Sequence, residues 1–367
     1  MSGGKGELAP HILHVLPQGA SVELISAFGN KLRHTLVTQD GELPTGLRRS
    51  AYLKPASNFP ALEGLPMPGR MLKLARAITP FDLVLTHGPE ALDVAMAHTL
   101  FKDAMNLPPL VHHEYAPDQR RTFRRKWYRR IALGKSAGVV VPGERLEEAA
   151  LVDWQQPIGR VKRIAPGIDT KAFAKKPKND GFRLIKHPGE NWVGTWPDDP
   201  GASGIERLVR AFANLDEKWQ LIVLGERQNT TGVEAEIDRL GLNDRVYFPG
   251  AVKEPARVLG LFDIFVDPGV SSIFPERLVQ AMSASVPVIT PREGGTADIV
   301  SEPNREWLTE GASESMFAAN LHALAKDGGL RKAIGEANRV QAVREFDRDK
   351  MIATFRRLYS SAMRREF

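Results

Sequence analysis

The sequence predicts an α/β protein built from two doubly wound parallel sheets, and three observations carry that expectation. At 367 residues the chain is too long for one ordinary α/β layer and suits two domains, each able to bury its own core. Its apolar stretches are short and rich in Val, Ile and Leu, the pattern of strands buried on both faces. Helical patterns alternate with those stretches, as crossover helices must between parallel strands.

Strands are predicted over 11–16, 35–38, 83–86, 110–112 and 138–141, and again over 183–186, 221–224, 246–248, 264–266 and 286–290. Helices are predicted over 92–104, 145–151, 204–214, 233–240 and 276–284. The Lys- and Pro-rich stretch between Phe173 and Phe182 has no period and reads as a linker. It separates an N-terminal domain, 1–178, from a C-terminal domain, 179–345. The remainder, 346–367, is expected to be a closing helix whose Met351, Ile352, Phe355 and Leu358 pack on a domain face.

Composition removes several classes. With 42% hydrophobic and 26% charged residues the chain is globular rather than disordered or fibrous. No window approaches the roughly 20 apolar residues of a membrane span, and residues 1–10 lack a basic-then-apolar leader, so a cytoplasmic location is expected. Zero cysteines exclude disulfides, zinc–thiolate sites and thiol nucleophiles. No metal-site pattern is present, and Asp347-Arg348-Asp349 reads as a helix cap rather than a metal-binding pair. The net charge of +6 points to an acidic partner without choosing among nucleic acid, anionic lipid and a phosphorylated substrate.

The strongest local signal is DIFVDPGVSSIFPERLVQAMSASVPVITPREGGTADIV, residues 263–300. It reads as a strand, a Pro/Gly loop, a helix opening near Pro275, a second strand and a glycine pair. Ligands of open α/β sheets sit outside the carboxyl ends of strands, where helix N-termini favour phosphate. The loop 269–275, with Ser272, Ile273, Phe274 and Pro275, is therefore the place for a pyrophosphate, unless the segment is a plain βαβ unit without a ligand.

This stretch resembles the signature of retaining glycosyltransferases of the GT-B fold, family 4-like, group 1. Asp263, Pro268, Phe274, the pair Ala281–Met282, Pro287, the pair Gly294–Gly295 and Asp298–Val300 fall in its register. Further family-like pieces lie in order: ILHVLPQGA (12–20), FDLVLTHG (81–88), PLVHHEY (109–115), AGVVVPGERLEE (137–148), RIAPGIDTKAF (163–173), QLIVLGE (220–226), RVYFPGAV (245–252) and EFDRDKMIATFRRLY (345–359). The resemblance implies two facing Rossmann-like domains. It also implies metal-independent transfer of a hexosyl group from a nucleoside diphosphate sugar, a co-substrate rather than a resident cofactor. The implied acceptor is a glycan or lipid-linked molecule in bacterial envelope or exopolysaccharide synthesis. By the same resemblance His113 is the catalytic contact to the sugar or leaving phosphate, Gly19 lets the backbone approach the donor, and Val252 helps wall the base.

Departures from the family pattern are as specific. The two acids of the family fall on Ser272 and Gln280, so both carboxylates are absent and Gln280 keeps one neutral acceptor for the ribose. The Arg and Lys that meet the diphosphate fall on Thr195 and Ser203. An alternative register, with the strand at 183–186, makes Lys186 or His187 the donor cation; Arg292 or backbone N–H groups alone are the other sources. A catalytically silent binding protein on the same fold remains the alternative function.

Residues 118–136, DQRRTFRRKWYRRIALGKS, form a basic helix in which Phe123, Trp127 and Ile131 recur at every fourth position. Arg121, Arg124, Arg125, Trp127 and Arg129 suit docking on an anionic membrane, which would make the protein peripheral on the inner face. The same stripe would serve equally as core packing with solvated charges. Nucleic acid is not expected, because no nucleic-acid motif accompanies the patch.

Overall fold

A computed structural model describes residues 8–15, 23–38, 41–44, 46–115, 122–178, 184–197, 203–226, 230–269 and 274–367. The chain forms two compact units, Met1–Ala165 with Met351–Phe367, and Pro166–Lys350.

The first unit holds seven strands, β1 (His11–Val15), β2 (Arg33–Val37), β3 (Leu53–Pro55), β4 (Leu83–His87), β5 (Leu110–His113), β6 (Gly138–Val141) and β7 (Val161–Arg163). They lie in the order β3-β2-β1-β4-β5-β6-β7, every pair parallel. Its helices are α1 (Glu23–Phe28), α2 (Pro68–Ile78), α3 (Leu92–Met105), α4 (Phe123–Ala132) and α5 (Glu144–Glu148). One sheet face, with Leu13, Val84, Leu110 and Val139, packs on Leu74, Ile78 and Val94 of α2 and α3. The other, with Ile12, Leu83, Leu85, Val111 and Val140, packs on Phe28 and on Phe355 and Tyr359 of the closing helix. Burial on both faces is why these strands read as unbroken apolar runs.

The second unit repeats the plan with β8 (Asn191–Thr195), β9 (Trp219–Leu224), β10 (Val246–Gly250), β11 (Ile264–Val266), β12 (Val288–Pro291) and β13 (Leu308–Thr309). Their order is β10-β9-β8-β11-β12-β13, again parallel. The helices are α6 (Ser203–Phe212), α7 (Thr231–Leu240), α8 (Glu276–Ser283), α9 (Thr296–Ile299), α10 (Glu314–Lys326) and α11 (Gly328–Glu345); the closing helix α12 (Arg348–Met363) belongs from Met351 onward to the first unit. Val193, Leu221, Ile264 and Ile289 pack against Leu208, Phe212, Phe317 and Leu321. Gly194 is obligatory in the central strand, because a Cβ there would lie 2.1 Å from the Phe262 ring.

Three expectations are corrected. The unit boundary falls at 165/166 rather than 178, because the Lys- and Pro-rich stretch is tied into the second unit. The Ile168 N–H donates to the Phe346 carbonyl at 2.8 Å, the Lys178 N–H to that of Arg257 at 2.9 Å, and the Arg339 guanidinium to that of Phe173 at 3.2 Å. The strand expected over 183–186 is absent from the described residues 184–186, and the central strand is β8 instead. Four strands, β3, β7, β8 and β13, were not predicted. Asp347 does cap α12, accepting the Lys350 N–H at 3.1 Å. Among the described residues no helix is long and apolar enough to cross a membrane.

Candidate functional site

In the second unit the chain leaves β8 in one direction to β9 and β10, and in the other direction from β11 to β12 and β13. Neighbouring connections therefore diverge at the carboxyl ends of β8 and β11, the place where open α/β sheets take ligands. Thr195 closes β8 there; it is fully buried, and its hydroxyl has no hydrogen-bond partner among the described residues. The loop after β11 lies close to the start of α6, since a Cβ on Gly204 would come within 3.3 Å of the Pro268 carbonyl. Within that loop the Gly269 N–H donates to the Asp267 carboxylate at 3.2 Å. Pro275 precedes α8, and Arg277 in its first turn places its guanidinium 4.1 Å from the centroid of the Trp196 ring, next to Thr195. Two helix N-termini and one cation thus meet at one strand edge.

The first unit has its own divergence, between β1 and β4. A row of buried histidines crosses it on one sheet face. His14 Nε2 meets His34 Nδ1 at 2.9 Å, the His14 and His87 rings stack at 6.1 Å, and His87 stacks on His113 at 4.6 Å. His87 Nδ1 bonds the Tyr115 hydroxyl at 2.6 Å, and His113 Nε2 bonds that of Tyr359 at 3.1 Å. Desolvation is the main cause that lowers every pKa in the row: His34 to about 4, His113 to about 3, and His14 and His87 well below the ordinary value. These rings are neutral at pH 7. On the opposite face His112 bonds Thr86 at 3.0 Å, beside Glu114 and its buried partner Arg129 at 3.2 Å.

Comparison with known proteins gives this geometry its family. The sequence family described as glycosyl transferases group 1 matches residues 200–341, and Glycosyltransferase Family 4 matches residues 18–172. Together the two models match residues of both units, each as a glycosyltransferase. It is similar to N-acetyl-alpha-D-glucosaminyl L-malate synthase of Bacillus anthracis, 24% identical over 162 residues. That match covers 44% of this chain and 42% of the synthase, less than half of either. It is also similar to GDP-mannose-dependent alpha-mannosyltransferase of Mycobacterium tuberculosis, 24% identical over 271 residues, 69% of this chain and 67% of the relative. Among solved structures, Anabaena HepE in complex with UDP matches with a TM-score of 0.71 and 16% identity, over 96% of this chain and 100% of HepE. The fold is GT-B.

Within this glycosyltransferase the expected site residues separate. Thr195 and the start of α6 at Ser203 stand at the carboxyl edge of the second sheet, with β8 rather than 183–186 as the strand of this strand–helix turn. Val252 follows β10 at the same edge, two residues beyond Gly250, whose carbonyl accepts the Gly225 N–H at 3.1 Å. Phe274 is half-buried and packs on Phe346, ring centroids 5.6 Å apart. Gln280 donates from Nε2 to Glu276 one turn earlier in α8, at 2.8 Å. Arg292 follows β12 at this edge but pairs with Glu310 at 2.9 Å. Gly19, Ser272, Ile273 and Arg121 lie outside the described residues, as does the side chain of Ser203.

Three residues are not where the expectation put them. Lys186 sits at the opposite, amino-terminal edge, where its ammonium bonds Asp263 and the Leu261 carbonyl, both at 2.6 Å. Asp263 also accepts the Trp192 N–H at 2.8 Å, so Lys186 locks strand starts together and lies away from the carboxyl edge. His113 is enclosed at 1% exposure, between His87, Phe355 and Tyr359, and it supports the sheet edge rather than opening onto it. Arg129 is 3% exposed and ion-paired to Glu114, which removes it from any membrane-facing set. Arg277 and Trp196, in contact at the carboxyl edge, carried no expectation from the sequence.

Proposed function

We propose that the chain is a retaining glycosyltransferase that moves a hexosyl group from a nucleoside diphosphate sugar to a glycan or lipid-linked acceptor in bacterial envelope or exopolysaccharide synthesis. Support comes above all from the carboxyl edge between β8 and β11, where the starts of α6 and α8 converge with a buried hydroxyl that has no partner among the described residues. Such an edge suits a diphosphate through unpaired backbone N–H groups and the helix dipoles. The names of relatives support the donor class: one is dependent on GDP-mannose, and HepE was solved with UDP. In the reaction the bond from the anomeric carbon to the diphosphate oxygen breaks, and the acceptor hydroxyl adds to the same face and loses its proton. Negative charge grows on the departing diphosphate, so donors fixed at that position stabilise the transition state more than the ground state. Metal independence belongs to the proposal and is tested by turnover in the presence of a chelator.

The deciding experiment presents a panel of UDP- and GDP-sugars and follows release of the nucleoside diphosphate, with NMR of the anomeric proton in the product. Release with retained configuration is expected; no binding and no turnover with any donor would overturn the proposal. A second function, donor binding without transfer, is favoured by Ser272 and Gln280 at the positions of the family's acids and by the Gln280 contact with Glu276. Tight binding with no release of diphosphate is the outcome that selects it.

A further inference from the structure

We infer that Trp196 is the platform on which the donor's nucleobase stacks. The inference rests on the donor class proposed above and names the residue that would hold the flat part of that molecule. Thr195 ends β8, so Trp196 is the first residue beyond its carboxyl end, at the divergence of the second sheet. Pro197 follows, and a residue before proline is confined to extended backbone, which carries the chain straight out of the strand and fixes where the indole starts. The ring lies toward β9. A Cβ on Gly225, just past the end of β9, would come within 3.7 Å of both Cδ1 and Nε1 of the indole. Gly225 itself has a φ of +112° and donates its N–H to the carbonyl of Gly250, the last residue of β10, at 3.1 Å. A Cβ on Gly250 would meet no atom within 4 Å, so the edge is open there. Indole, glycine and glycine thus lie at the ends of three adjacent strands, β8, β9 and β10. Strands about 4.8 Å apart make that shelf about 10 Å wide, room for a nucleoside, while α6 and α8 start after β8 and β11, where a diphosphate would lie.

The other tryptophans of this unit do not compete. Trp192 and Trp219 are 1% exposed and stand at or near the amino-terminal starts of β8 and β9, and Trp307 packs on the core. Trp196 is partly exposed. The Arg277 guanidinium lies 4.1 Å from its ring centroid and braces the tilt of the indole, and among the described residues no second ring or cation lies against it. An aromatic ring already held by its neighbours loses little freedom on stacking, and every base presents a π-face whatever its edge pattern. The stack therefore supplies affinity, and the choice between UDP and GDP falls to groups that meet the base edge.

Titration of the full chain with UDP, GDP, uridine and guanosine, followed by calorimetry and by tryptophan fluorescence, is the test. The nucleotide that binds is expected to quench the wild-type emission. Trp196→Leu should weaken that nucleotide and its parent nucleoside by the same factor, about five- to a hundredfold for one lost stack. Trp196→Phe keeps a ring, so it should retain most of the affinity while the quench disappears. Where Trp196→Leu unfolds, the fluorescence of Trp196→Phe decides. Nucleotide binding that Trp196→Leu leaves unchanged, or a quench that survives in Trp196→Phe, overturns the assignment and leaves the donor proposal standing. Weakening confined to the diphosphate, with nucleoside binding intact, overturns it as well, because the indole then acts on the phosphate side. No binding of any nucleotide by the wild-type chain overturns both.

Discussion

Thr195 and Lys186 show how single residues divide between ligand and scaffold. A buried hydroxyl left unpaired costs about 1–3 kcal/mol, and an apolar group of the same shape removes that cost. Thr195→Val is therefore expected to leave the melting midpoint unchanged or raise it, while nucleoside diphosphate affinity falls by about five- to tenfold for the lost contact. Unchanged affinity in titration would mean that the hydroxyl is only stored strain. Lys186→Met should do the reverse. It strips Asp263 of its cation at a site where the two side chains are 20% and 25% exposed, so a loss of about 1–2 kcal/mol in urea unfolding is expected, with donor affinity intact. A variant with weakened donor binding and unaltered stability would return Lys186 to the donor site. The sequence held both options open, because the apolar run 183–186 and the strand NWVGT compete as the central strand. Local pattern could not choose between them. Gly194 decides it in three dimensions, where its missing Cβ admits Phe262.

At the level of elements, the histidine row makes the first sheet sensitive to acid. His14, His34, His87 and His113 come from β1, β2, β4 and β5 and face Tyr115, Tyr359 and Phe355, with no carboxylate hydrogen-bonded to the row among the described residues. Their folded pKa values lie below the unfolded value near 6.5, so the unfolded chain binds more protons between the two. Stability is full above about pH 6.5 and falls as pH drops toward about 3, by up to about 1.4 kcal/mol per pH unit for each histidine. Circular dichroism melts from pH 7 to pH 4 should show that slope, and His34→Gln should flatten it. A midpoint that does not move between pH 7 and pH 5 would show that the rings are already charged or solvated. Most strands around this row were legible, because burial on both faces leaves continuous Val, Ile and Leu. The row itself was not, since only strand pairing brings positions 14, 34, 87 and 113 to one face. Short edge strands β3, β7 and β13, of two or three residues, gave too little pattern to detect. For α4 the stripe was visible in the sequence, but its direction was set by the buried pair Arg129 and Glu114.

Across the whole molecule the two sheets have separate cores, and different agents should reach them. Acid acts on the first unit through its histidines, whereas a nucleoside diphosphate should protect the second. Trp192, Trp196, Trp219 and Trp307 belong to Pro166–Lys350, so tryptophan fluorescence reports chiefly on that unit. A ligand that binds only the folded state, at about a hundred times its Kd, adds about 2.7 kcal/mol. For a unit of this size each kcal/mol moves the midpoint by about 2–4 °C, so UDP or GDP should raise the fluorescence midpoint by about 5–10 °C. The parent nucleoside at the same concentration should raise it far less, because the helix starts at β8 and β11 have no diphosphate to meet. The gain should persist at pH 5, where the second unit carries none of the histidine row that destabilises the first. A scan across UDP, GDP, ADP and dTDP in which no midpoint moves would remove the donor site from the second unit. A shift for one base alone would name the base.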